Sequence, residues 1–189
     1  MIVPSSFEGA RLKARRIKPD DGVALFEAYA GDPDATRYLP WRTNQRPSET
    51  LAFSRLAASR WDAGEEFVFV ACLKDTPGEK ERIIGSGKIA AFHPLFRNHM
   101  EIGFCISPKF WRQGYGTELS SELLRVALEI ADVFRVSAWV QPENVACCAV
   151  LEKIGMRREC IVKRSQIHPN FSSRPVDMAL YAAFRDGEA

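Results

Sequence analysis

A mixed α and β fold is what the residue order predicts: two helices leading, a strand meander following, and a strand-helix-strand-helix-strand unit at the end. Two observations predict it. Runs rich in aromatic and β-branched residues fill the centre and the end of the chain, and apolar residues at helical spacing separate them. A third sets the scale. No repeat, low-complexity tract or Pro/Gly/Ser linker divides the sequence, and 189 residues with 46% hydrophobic content suit one substantial core. The expectation is a single domain, residues 1–189.

Arg11 to Ile17 reads as the first strand, and Pro19-Asp20-Asp21 opens a helical pattern through Leu25, Phe26 and Tyr29. A second helix begins at Pro47-Ser48-Glu49, with Leu51, Phe53, Leu56 and Trp61 supplying most of its apolar content. Phe67 to Leu73 and Arg82 to Phe92 read as a hairpin joined through the turn-forming Asp75 to Gly78. Met100 to Ser107 is a further strand. Leu119, Leu123, Val126, Ala127 and Ile130 recur at helical spacing between Gly116 and Ala131, which puts one helix face against a sheet. Phe134 to Val140 is then a strand, Val145 to Ile154 a short helix closed by Gly155, and Arg157 to Ser165 with Val176 to Phe184 a terminal strand pair.

Charge excludes some partners. With 26 basic and 24 acidic residues the net +2 supplies no strong field for nucleic acid or an anionic membrane. The amino terminus lacks a basic region followed by an apolar stretch, and no run approaches the ~18 apolar residues of a membrane span, so a cytoplasmic protein is expected. Cys72, Cys105, Cys147, Cys148 and Cys160 are odd in number and form no CxxC pair, which favours free thiols. His93, His99 and His168 show no ligand spacing, so no metal is expected. Asn170-Phe171-Ser172 fits a glycosylation sequon that the missing export signal makes a chance match.

The informative stretch runs from Glu101 to Thr117: a strand, a loop with basic and glycine residues, and the start of the amphipathic helix. The first N–H groups of a helix have no internal partner, and glycines let that backbone approach an anion while the helix dipole favours negative charge. Arg112 adds a cation. Gly85-Ser86-Gly87-Lys88 lacks the upstream Gly and following Ser/Thr of a P-loop, and Gly114-Tyr115-Gly116 lacks the third Gly of a dinucleotide fingerprint. A tight strand-to-helix turn with no further role remains the plain alternative.

This segment resembles motif A of the GNAT acetyltransferases, where a strand ending in a splay is followed by a pyrophosphate-binding Q/R-x-x-G-x-G/A loop that opens a helix. Gly114 and Gly116 match; Trp111 stands where Gln or Arg is usual. That Trp, the preceding Glu101-Ile102-Gly103-Phe104 and the following Gly-Tyr-Gly-Thr-Glu look like the RimJ/RimL branch, which acetylates ribosomal-protein amino termini and many other amines. Pro142-Glu143-Asn144 followed by Leu151-Glu152-Lys153-Ile154-Gly155-Met156 is similar to that branch's P-x-N-x-x-S…LEK-x-GF signature, and Thr36 to Trp41 has the character of its substrate-side loop. The resemblance implies the acyl-CoA N-acyltransferase fold, a central, mostly antiparallel splayed sheet flanked by helices.

It also implies roles. Acetyl-CoA would be the co-substrate, held by Arg112, Gln113, Gly114, Tyr115, Gly116 and Thr117, with backbone N–H groups of Phe104, Cys105 and Ile106 facing the thioester and pantetheine. Glu101 would accept the amine proton, against the alternative of a surface glutamate at a strand end. Glu118 is read as complementing the helix dipole. Asn144 would contact the pantetheine arm or the acceptor, or serve only as an N-cap, and Lys153 would reach the phosphates or lie solvated on its helix. Cys147 departs from the branch pattern, which has Ser there to protonate the thiolate. A thiol near its reference pKa of about 8.5 would exchange a proton with the coenzyme's sulfur almost thermoneutrally; packing and covalent catalysis are its other readings. Tyr115 and Trp111 are expected either to line the cofactor channel or to pack on the sheet.

The acceptor follows from the same resemblance: a protein or peptide α-amine, or else a small-molecule amine such as a polyamine, amino sugar or antibiotic. A non-catalytic acetyl-CoA sensor is a third reading. The protein is expected to act as a monomer or homodimer.

Overall fold

The computed structural model describes residues 3–74, 81–93 and 95–185, and the turn expected at Asp75 to Gly78 lies outside them. Strand β2 (Leu12–Arg16) matches the first expected strand, but a short β1 (Ser6–Glu8) precedes it and pairs with it antiparallel. Three residues with one buried side chain, Phe7, carry too little periodicity to be read in advance. The next helical stretch is broken into a 3-10 turn (Pro19–Asp21), α1 (Gly22–Leu25) and a π-turn (Phe26–Ala30). Helix α2 (Pro33–Thr36) starts where Asp32 accepts hydrogen bonds from the N–H groups of Asp34 and Ala35.

Helix α3 (Pro47–Ala63) ends at Gly64, whose φ of 70° is left-handed. Its buried residues are Thr50, Ser54, Ala57, Ala58 and Trp61, while Phe53 and Leu56 stand exposed. Close approach explains this face. A Cβ on Gly22 would lie 2.3 Å from the Leu51 Cα, so α1 rests almost backbone to backbone on α3 and only small side chains fit between them.

The remaining elements are β3 (Glu66–Leu73), β4 (Ile83–His93), β5 (Phe96–Ile106), α4 (Tyr115–Glu129), β6 (Arg135–Val140), α5 (Val145–Lys153), β7 (Arg157–Gln166) and β8 (Val176–Phe184). Strand β5 begins four residues earlier than its sequence suggests, because pairing with β4 extends a segment with no apolar alternation of its own. Among the described residues the strands form one eight-stranded sheet in the order β1-β2-β3-β4-β5-β6-β8-β7. Leu119, Leu123, Val126 and Ala127 of α4, with the following Ile130, press into its main core, as their spacing predicts. The segment Ile17 to Ala35 and α3 build a second core around Val68, Val70 and Tyr29.

Every pairing is antiparallel except that of β5 with β6. These two match over three positions only, His99 with Arg135, Met100 with Val136 and Glu101 with Ser137. Beyond Glu101 they part. Strand β5 continues to Ile106 and β6 to Val140, leaving an opening in the middle of the sheet, which is the splay the family resemblance implies.

Candidate active site

The opening exposes particular peptide groups. Ser107 donates its N–H to the Ile84 carbonyl at 2.8 Å, and the β4–β5 register is regular back to Ala91 with Met100. Peptide direction alternates along a strand. Cys105 therefore turns its amide towards β4, whereas Phe104 and Ile106 turn theirs into the opening. The Ile106 carbonyl is capped by the indole N–H of Trp111 at 2.7 Å. Trp111 thus neither lies in the core nor replaces a loop cation; half-exposed, it ties the loop to the end of β5.

Two left-handed residues then swing the chain into α4: Arg112 at φ 58° and Gly114 at φ 84°. For Gly114 that conformation is free of strain, and as N-cap it offers no side chain to the first turn. The N–H groups of Tyr115, Gly116 and Thr117 are consequently left for an outside acceptor. A methyl group at Gly116 would meet Phe104 and Ile106 only at ordinary contact distances, 3.6 and 3.9 Å, so packing does not demand glycine there. The bare backbone serves approach from outside. Arg112 is exposed and has no partner among the described residues.

The loop is braced from behind. Arg11 donates to the Gln113 carbonyl at 2.8 Å and lies over the Tyr115 ring at 4.2 Å, while Gln113 donates to the Lys109 carbonyl at 3.0 Å. Glu118 does more than complement the dipole. Its carboxylate accepts from the N–H groups of Arg11 and Leu12 at 2.6 and 3.1 Å and pairs with the Arg11 guanidinium at 2.9 Å, fastening α4 to the start of β2. Burial pushes this carboxyl up, but those hydrogen bonds and the Arg11 charge outweigh it and hold the pKa below the ordinary value. A Cβ on Gly9 would come within 2.5 Å of the same carboxylate, so the bend there leaves room for it.

On the other arm, Asn144 caps α5 by accepting the Cys147 N–H at 3.2 Å. Its Nδ2 group has no partner among the described residues. Burial, with Cys148 adding to it, pushes the Cys147 thiol up to about 12. The thermoneutral exchange expected from the reference value is therefore not what this site offers: Cys147 keeps its proton at physiological pH. Burial also pushes the Cys105 thiol up, with smaller contributions from Cys147 and Asp32. Lys153 closes α5 at its exposed far end, about 13 Å along the axis from Asn144. No contact joins it to the loop at Arg112.

Glu101 sits at the vertex, the last residue of β5 paired with β6, and forms an ion pair with Lys88 at 3.2 Å. Over this face runs the segment following α2. Asn170 fixes it with four hydrogen bonds: Nδ2 to the carbonyls of Thr36 and Trp41 at 2.8 and 2.7 Å, and Oδ1 from the N–H and hydroxyl of Thr43 at 3.0 and 3.3 Å. His168 adds a bond to the Tyr38 carbonyl at 2.9 Å, and Tyr29 meets the buried Ser86 hydroxyl at 2.7 Å.

Comparison with known proteins decides the family. The model of the acetyltransferase (GNAT) domain matches residues 11–157, most of the chain. This chain belongs to the GNAT acetyltransferases. Its relative YnaD of Bacillus subtilis (strain 168), an uncharacterized N-acetyltransferase, is 29% identical over 155 residues, 82% of this chain and 84% of that protein. The fold matches RimL, a ribosomal L7/L12 alpha-N-protein acetyltransferase in complex with coenzyme A, at TM-score 0.80 and 17% identity over the whole of both chains. It also matches spermidine N-acetyltransferase from Vibrio cholerae, in complex with coenzyme A and spermine, at TM-score 0.75 and 15% identity, covering 93% of this chain and 96% of that one.

As a GNAT enzyme the protein is an acetyl-CoA-dependent N-acetyltransferase. The structure gathers Glu101, Phe104 and Ile106 on one arm of the opening, the Arg112 to Thr117 turn at its end, and Asn144 and Cys147 on the other arm. The Cys105 amide points away from that set, and Lys153, exposed at the last residue of α5, makes no hydrogen bond or ion pair with it among the described residues. No three His, Cys, Asp or Glu side chains cluster as a metal site among the described residues. Sequence reasoning missed Arg11, Asn170 and Gln141. Only Gln141 carried a signal, its place directly before the Pro-x-Asn motif.

Proposed function

We propose that the enzyme acetylates the α-amine of a protein or peptide amino terminus, binding the diphosphate of acetyl-CoA at the start of α4. The observation that carries the cofactor site is the uncapped first turn beside Arg112, at the end of a parting pair of strands. Three free N–H groups, the helix dipole and a guanidinium with no acidic partner suit a diphosphate. When bound, acetyl-CoA supplies the activated acetyl group as a thioester.

The chain's own groups meet the remaining needs. The amides of Phe104 and Ile106 face the opening and would donate to a carbonyl oxygen as it gains charge. Glu101 at the vertex would take the amine proton, directly or through water. Asn144 is both cap and contact, its Oδ1 committed to Cys147 and its Nδ2 available to a ligand. Cys147, still a thiol at working pH, would offer the departing sulfur a weak hydrogen bond rather than surrender its firmly held proton.

An α-amine with a pKa of about 8 is substantially neutral near physiological pH, whereas a lysine-like amine near 10.4 must lose a proton at greater cost. That chemistry and the RimJ/RimL likeness support a protein acceptor; the fold shared with the spermidine enzyme favours a polyamine as the second reading. Thiol release from acetyl-CoA on a panel of amino-terminal peptides and amines, with mass detection of products, tests both. Peptides as the preferred acceptors are the expected result, and preference for polyamines would overturn the first reading. Coenzyme binding without thiol release on any acceptor would identify a sensor instead.

A further inference from the structure

Gln141 directly follows β6, on the arm of the opening opposite Phe104 and Ile106, and is 1% exposed. Both polar atoms of its side chain, Oε1 and Nε2, are buried and without a hydrogen-bond partner. No other side chain among the described residues is left in that state. A carboxamide buried without partners forfeits the hydrogen bonds it makes with water, so native proteins rarely keep one unless something else fills the need.

The backbone that carries this side chain is held in place. The Gln141 carbonyl accepts from the Asn144 N–H at 2.9 Å and from the Cys148 thiol at 3.9 Å, and the following Pro142 restricts the Gln141 backbone itself. Ser137 pairs with Glu101, and strand alternation places Ser137, Trp139 and Gln141 on one face, the face of Glu101 and Cys105. Helix α2 and the segment after it cross that face: the Cys105 thiol donates to the Ala35 carbonyl within α2, and the Tyr38 hydroxyl beyond it reaches the Glu143 carbonyl at 3.4 Å. The idle amide thus lies between the opening and the segment that covers it.

We propose that Gln141 binds an amide-bearing chain that enters the opening, with Nε2 donating to a carbonyl and Oε1 accepting an N–H. The proposal rests on the acetyl-CoA site described above. A carboxamide presents donor and acceptor side by side, and its complement is a chain that presents both, rather than a lone ammonium. Two such chains meet at this site: the pantetheine arm of the coenzyme, and the main chain of a peptide acceptor. Gln141 is buried and desolvated before either arrives, so its hydrogen bonds form without the cost of stripping water from the amide.

The test compares the unmodified enzyme with Gln141→Met, a near-isostere lacking donor and acceptor, and with Gln141→Leu as a second apolar variant. Melting without ligand, titration calorimetry with coenzyme A, and thiol release from acetyl-CoA with amino-terminal tetrapeptides and with spermidine are measured. Melting temperature should rise by about 2–4 °C in at least one variant, because an unpartnered amide has been removed. If the pantetheine arm is the partner, coenzyme A binds about tenfold more weakly. If a peptide main chain is the partner, coenzyme affinity holds and kcat/KM falls about tenfold on tetrapeptides but not on spermidine, which has no amide. A fall in melting temperature in both variants overturns the proposal, as does unchanged coenzyme affinity with unchanged thiol release on every acceptor. An unmodified enzyme that binds no coenzyme A would sink the site itself; equal binding and turnover in enzyme and variants would sink only the role of Gln141.

Discussion

Two side-chain amides in this enzyme keep opposite accounts. Asn170 is half-buried and satisfied by four hydrogen bonds to the segment between Thr36 and Thr43, while Gln141, at the parting of β5 and β6, is fully buried and makes none. The first region is a closed clamp, in which both ends of the amide find partners within the fold. The second is incomplete, and so is the nearby first turn of α4, whose N–H groups await an acceptor. The difference teaches that polar satisfaction separates residues serving the fold from residues serving a ligand, even where both are the same kind of side chain.

Breaking the open region should give the largest effect. Arg112→Glu puts a negative charge beside the first turn of α4, and calorimetry should find coenzyme A binding about a hundredfold weaker with melting temperature unchanged, since Arg112 is exposed and unpaired. Affinity equal to that of the unmodified enzyme would move the diphosphate elsewhere. Breaking the clamp should show the reverse pattern. Asn170→Ala strands the carbonyls of Thr36 and Trp41 and the N–H of Thr43, costing about 2 kcal/mol in chemical denaturation, and acceptor KM should rise while coenzyme affinity holds.

A smaller effect belongs to the brace between α4 and the start of β2. Glu118→Gln should cost about 1 kcal/mol near neutral pH, through weaker acceptance from Arg11 and Leu12 and loss of the ion pair. Because the folded pKa of Glu118 lies below its unfolded value, its contribution is present above the unfolded pKa and lost as pH falls through the folded one. The stabilities of enzyme and variant should therefore converge in acid, and a gap that persists there would contradict the assignment. The finest distinction concerns Cys147. Cys147→Ser should keep most of the turnover and Cys147→Ala should lose severalfold, with no alkaline limb from the thiol between about pH 6 and pH 9, since burial holds its pKa near 12. Equal loss in both variants would reduce Cys147 to packing.

Much of the fold was legible because its elements announce themselves locally. The apolar spacing of α4, the aromatic and β-branched run of β3 and the pairing of Val176 to Phe184 each carry their own period, and the structure keeps all three. Strand β1, helix α2 and the first residues of β5 were not legible, since short segments owe their form to the neighbours they pair with or cap. In the site, glycine and arginine marked the turn proposed to hold the diphosphate, for the chemistry of a helix start is written in consecutive residues. Phe104 and Ile106 could be placed only to within a residue, because which amide faces the opening depends on the register with β4.

From its order alone, then, the sequence determined the family, the turn proposed to receive the cofactor and the sequence of helices and strands, all of them properties of neighbouring residues. Tertiary structure alone decided that Glu118 fastens β2 as well as sitting in the first turn of α4, that Cys147 holds its proton, that Asn170 clamps the segment from Thr36 to Thr43, and that Gln141 stands buried without a side-chain partner. Each of these depends on burial and on contacts between residues distant in the chain, and no spacing of letters encodes how much water a side chain keeps.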